Sequence, residues 1–159
     1  TTDWSDSGQM VHGIDTDSDG VYASWGPKVR KWDHNGNVQW TVETVADLDN
    51  NYDIAAGHAS YVFSTGTNGS IYRIPKDGST RTSIYTAEGE KKDVDVEVGP
   101  DDNLFVADVT GQDLHVLNAD GSEILTKTYG SVVRDVEARA DGVYVVAGSS
   151  LYKYTKSGF

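Results

Sequence analysis

The 159-residue sequence has no cysteine, one methionine, 3 prolines and only 13 lysines and arginines. Without cysteine there is no disulfide framework, no thiolate metal site and no cysteine nucleophile, and the redox compartment cannot be read. The basic residues face 25 aspartates and glutamates, for a formal net charge of -12. That balance excludes wrapping a nucleic acid, because counterion release needs a basic face. No apolar run is long enough for a membrane-spanning helix, so membrane insertion is not expected. The start, Thr1-Thr2-Asp3-Trp4, lacks the basic and apolar stretches of a targeting segment.

What is present argues for a folded chain. Hydrophobic residues make up 37% and aromatic residues 10%, enough side chains for a core despite the charge. Aspartate outnumbers glutamate 19 to 6, so the surface is a field of short carboxylates. Such composition resembles that of proteins from salt-loving organisms, in which hydrated carboxylates keep a fold soluble while salt screens ordinary charge. The expected setting is extracellular or on a virion surface, in a halophilic archaeon or its virus.

Helical spacing is poor throughout, whereas short alternating stretches recur at 21–25, 61–64, 103–107 and 142–146. After each comes a second short strand and then a turn glycine: Gly36, Gly78, Gly121 and Gly158. These glycines lie 42, 43 and 37 residues apart, and four residues before each stands Trp32, Ile74, Leu117 or Tyr154. That is a fixed-period repeat. Matching segments precede the first strand at 12–14, 52–54, 94–96 and 134–136, and others follow the glycine at 37–42, 81–85 and 123–127. One repeat is thus four short strands joined by hairpin turns, a unit that cannot bury both faces alone.

The expected fold is all-β, a four-bladed β-propeller with four antiparallel strands per blade. The blades fall at about 9–48, 51–90, 94–132, and 133–159 plus 1–5, the N-terminal strand closing the last blade and bringing Trp4 to the place that Trp40 holds in the first. The inner Asp-Val or Asp-Ile, the Gly-Val-Tyr-Val of residues 142–145 and the Leu-Tyr-Lys-Tyr of residues 151–154 resemble the broad group of NHL, YVTN and PQQ-type blades. The resemblance covers essentially the whole chain and implies a propeller. It implies no single function, since that group holds enzymes, sensors and scaffolds. The tryptophan docking pattern of quinone-binding propellers is missing, so no quinone is carried over.

Two sets of acids stand out as candidate ligands for calcium or another hard cation. Asp53, Asp95 and Asp135 occupy one equivalent position on the innermost strands, where the first repeat has Gly13, and would ring the axial channel. Each could instead accept backbone N–H bonds and hold blades in register. Asp15, Asp17 and Asp19 have the alternating spacing of a calcium loop, but Ala23 and Gly26 stand where an EF-hand has its later ligands. A further cluster runs from Asp47 through Asp49 to Asp53. Trp25, beside Gly26-Pro27, and Tyr129, beside Gly130, read as rim aromatics able to stack on a sugar or fill a protein pocket. Asn68-Gly69-Ser70 is a glycosylation acceptor sequence.

Catalysis finds little support. His12, His34, His58 and His115 are scattered, and the sequence has neither a Gly-x-Ser-x-Gly elbow nor a phosphate loop. The expectation is a non-catalytic structural or binding module, a capsid or spike decoration or an attachment domain, with protein partners or surface glycans. The alternatives are a calcium-dependent propeller enzyme of the lactonase or lyase type and a scaffold domain of a larger extracellular protein.

Overall fold

A computed structural model describes residues 10–43, 51–66, 69–87 and 94–155. Among these every regular element is a strand. The first antiparallel sheet is β1 (Val11–Asp17), β2 (Gly20–Trp25), β3 (Lys28–Trp32) and β4 (Val38–Glu43); the second is β5 (Asn51–Ala55), β6 (Tyr61–Gly66), β7 (Ser70–Pro75) and β8 (Thr82–Thr86). The third is β9 (Val94–Val98), β10 (Leu104–Asp108), β11 (Asp113–Leu117) and β12 (Glu123–Thr128), and the fourth is β13 (Val133–Arg139), β14 (Gly142–Ala147) and β15 (Ser150–Tyr154). Each sheet is a meander whose strands pair in chain order, so the molecule is a four-bladed β-propeller. The segment expected to close the last blade, with Trp4, lies outside the described residues, as do Gly158, Asp47, Asp49 and Asn68.

The repeated glycine has a backbone cause. Gly36, Gly78 and Gly121 have φ of 85°, 78° and 88°, a region that side chains with a Cβ rarely enter. Each donates its N–H at 2.9 Å to the carbonyl three residues earlier, on Asp33, Pro75 and Asn118 respectively. These tight turns fix where the outer two strands reverse. Space demands glycine as well: a Cβ on Gly121 would meet the Ile84 carbonyl of the preceding blade, and one on Gly78 would sit against the Trp40 ring. Turn tips are therefore also blade contacts. Trp40 donates its indole N–H to the Lys76 carbonyl at 2.9 Å, and Arg73 reaches the Ala119 carbonyl at 3.2 Å.

The core lies between blades. Tyr22 and Val29 of the first blade pack on Ile54, Val62 and Ile74 of the second. Phe63 and Ile71 of the second pack on Val96, Leu104 and Leu117 of the third, and Phe105 and Leu114 of the third on Val136, Val143 and Val145 of the fourth. One face of each of the first three blades thus meets the opposite face of the next, and the period-2 strand pattern supplies both faces. Trp32, Ile74 and Leu117, the apolar residues before the turn glycines, are all buried in these layers or beside them.

Ile71 is fully buried, so Ile71→Ala should lower unfolding free energy by about 2–5 kcal/mol in urea titrations followed by tryptophan fluorescence. Ile124, 48% exposed on β12, should change stability by no more than about 0.5 kcal/mol on the same substitution.

Candidate axial carboxylate site

The four innermost strands, β1, β5, β9 and β13, line an axial cavity of about 260 Å³. Two repeat positions, two residues apart and so on one side of each strand, supply its acids. The first holds Gly13, Asp53, Asp95 and Asp135; the second holds Asp15, Ala55, Glu97 and Glu137. Six carboxylates therefore surround the cavity, and Arg139 is the cation that lines it with them.

Strand irregularity sets up the first position. β1 and β5 slip register just before Ile14 and Ile54, which withdraws one residue from the ladder. The freed amide of Gly13 donates to the Ser24 hydroxyl at 2.7 Å, and that of Asp53 to the Thr65 hydroxyl at 3.0 Å. The carboxylates then reach sideways. Asp53 accepts the amide of Val96 at 2.9 Å, and Asp95 accepts that of Val136 at 3.0 Å, in each case one blade onward. From the second position Asp15 does the same to Ala56 at 2.7 Å. A two-carbon acid is long enough to cross the gap between inner strands and short enough to hold it fixed.

Crowding changes their acidity. Burial raises the Asp95 carboxyl well above the ordinary carboxylate range, the hydrogen-bonded Asp53 raises it further, and the Val136 amide opposes both. Burial, then the charges of Glu137, Asp15 and Asp53, push Glu97 up to about 8 against the pull of Arg139. Arg139 itself bonds Glu137 at 2.6 Å. Glu97 and Glu137 were not singled out in the sequence; the signal was present, since each lies two residues after an inner aspartate.

The alternating acids of the first hairpin separate. Asp15 and Asp17 lie in β1, not in a loop, and the turn consists of Ser18 and Asp19. Asp17 accepts the amides of Asp19 at 2.7 Å and Gly20 at 3.2 Å. Its other oxygen is 2.6 Å from the Lys76 ammonium of the second blade, which also lies 3.3 Å from Asp19. Burial lowers the Lys76 pKa, but the two carboxylates outweigh it and the net shift is upward. Asp15 meanwhile faces the axis. Among the described residues no three His, Asp or Glu side chains are grouped so as to hold a metal ion.

The rim aromatics turn inward. Trp25 is only 6% exposed, stacked on Trp32 at 5.9 Å with the Arg30 guanidinium 4.3 Å over its ring, so it is not open to a ligand. Its neighbours Gly26-Pro27 form a turn in which Gly26 is buried and Pro27 half-buried, and the side chain belongs to the buried end of β2. Tyr129 is half-buried edge-on to Tyr152 at 5.1 Å, and burial followed by the adjacent Tyr154 raises its phenol above the ordinary value. The histidines stay apart. His58 accepts the Ser60 amide at 2.9 Å and is held below its usual pKa mainly by burial, while His115 faces Glu123 at 3.1 Å.

No protein-family model matches the chain, and no curated protein matches it. Solved structures do. Virginiamycin B lyase from Staphylococcus aureus is similar at 15% identity and a TM-score of 0.71, over 91% of this chain and 55% of that one. BamB from Moraxella catarrhalis is similar at 13% identity and a TM-score of 0.71, over 94% and 48%. The computationally designed Ika4 protein is similar at 10% identity and a TM-score of 0.72, over 92% and 91%. The chain thus spans about half the length of those two natural proteins, and the likeness is one of fold.

The carboxyl shifts have a signed consequence. Glu97 is raised from 4.5 to about 8, and Asp95 is raised as well, so the stability they contribute is full below about pH 4 and is lost as pH rises through about 8. Melting temperature should fall across that window in the native chain. It should fall less in the Asp95→Asn, Glu97→Gln double variant, whose amides stay neutral; equal slopes in thermal melts would refute the shifts.

Proposed function

We propose that this chain is a non-catalytic propeller module, working on a cell or virion surface in a high-salt setting and meeting protein or glycan partners. The observation that carries this reading is how the best-placed acids are used. Asp15, Asp53 and Asp95 each give a carboxylate oxygen to an amide of the next blade, which makes them tie points of the scaffold. The turn acids support the surface role. Asp19, Asp77, Asp101, Asp102, Asp120 and Asp141 are all exposed at hairpin ends, where water and counterions reach them.

The elevated Glu97 and Asp95 favour one second reading, an enzyme of the lyase type that uses a neutral axial carboxyl as a proton donor. Calcium separates the two. On the module reading, calcium raises the melting temperature of chelator-treated protein no more than magnesium does. A calcium-specific rise that disappears in an Asp53→Asn, Asp95→Asn, Asp135→Asn variant favours the enzyme. The high-salt setting makes its own demand: melting temperature should climb between about 0.15 M and about 3 M NaCl, and a flat or falling trend contradicts it.

A further inference from the structure

Among the described residues three of the four blade junctions a closed ring would need are built, and at the place of a fourth Ile14 and Leu151 stand exposed. β5 packs against β1 and β9, and β13 against β9, while among the described residues β13 and β1 make no comparable packing. Side-chain exposure locates the gap. Ile14 is 68% exposed, although its equivalents Ile54, Val96 and Val136 are 3%, 2% and 4% exposed against the preceding blade. On the far side Leu151 is 70% exposed, whereas its equivalents Val29, Ile71 and Leu114 are fully buried against the following blade.

The hydrogen bonding stops at the same place. Asp53 and Asp95 reach the amides of Val96 and Val136, but Asp135, their equivalent on β13, is exposed, and the amide it would take by register is that of an Ile14. The fourth blade therefore displays at Leu151 the position that the first three use to hold a successor, and the first blade displays at Ile14 one position of the face that the later three use to receive a predecessor, while Trp25 and Trp32 on that face are buried.

We propose that two copies of this chain join head to tail, the fourth blade of each packing on the first blade of the other, to complete an eight-bladed ring. The occupant follows from the surfaces themselves. Each open face is complementary to the other and not to itself, so one contact is heterologous, and two related by a twofold axis close. The fold comparison is compatible in size: nine-tenths of this chain superposes on about half of two longer natural propellers, and equally well on nine-tenths of the designed Ika4 chain. Burying Ile14 and Leu151 also removes two large apolar residues from solvent, as burial of their equivalents does at the other junctions. The proposal rests on the fold and is independent of whether the module is catalytic.

Sedimentation equilibrium on these 159 residues at about 50 μM should give twice the 17.2 kDa chain mass. Ile14→Glu and Leu151→Lys should each give the single-chain mass with an unchanged β-sheet circular dichroism spectrum. Because the chain has no cysteine, the contact can also be mapped directly: Ile14→Cys protein mixed with Leu151→Cys protein should yield a covalent dimer with a short bis-maleimide. A native chain that sediments as a monomer overturns the proposal. So does an Ile14→Cys, Leu151→Cys double variant that cross-links only within one chain, because the four blades then close on themselves.

Discussion

A short antiparallel sheet with apolar side chains on both faces has no stable existence alone, and each blade is such a sheet. Tyr22 and Val29 have no core until Ile54 and Ile74 arrive from the next blade, and the same dependence passes from the second blade to the third and from the third to the fourth. Everything else in the molecule serves this stacking. The glycine turns bring outer strands close enough for Trp40 to touch Lys76 and for Arg73 to touch Ala119. The inner aspartates fix the spacing near the axis. Stacking has two ends unless it closes, and the exposed Ile14 and Leu151 are those ends.

Placing carboxylates on the innermost strands brings charge together. Six acids share a small cavity with Arg139, and the chain answers partly by hydrogen bonds and partly by keeping Asp95 and Glu97 protonated above their ordinary range. Salt relieves the repulsion among exposed turn acids more than that among the buried axial ones, since screening acts through solvent. Salt and pH therefore act on different acids: ionic strength on the rims, proton concentration on the axis.

Much of this was legible in the sequence, for a physical reason. Gly36, Gly78 and Gly121 repeat because the backbone needs a positive φ at one point per blade, and Trp32, Ile74 and Leu117 repeat because that point sits next to a core position. Equivalent placement marked Asp53, Asp95 and Asp135 alike as cation ligands or register-holding acids, and of these Asp53 and Asp95 bond the next blade while Asp135 is exposed. Trp25 misled because Gly26-Pro27 marks a loop without saying which way the preceding ring points. Glu97 and Glu137 were hidden in a background of 25 acids. Ile14 and Leu151 were illegible in principle: their pattern is that of their buried equivalents, and only their exposure in the fold sets them apart.

Hydrogen–deuterium exchange at two protein concentrations tests most directly whether stacking on a neighbouring blade is what orders each sheet. The account predicts slow exchange at the Val96 and Val136 amides at both concentrations, because their neighbours belong to the same chain. It predicts that β1 and β15 exchange more slowly as concentration rises, because their neighbours belong to a second copy. Exchange in β1 and β15 that ignores concentration, or fast exchange at Val96 and Val136, would contradict it.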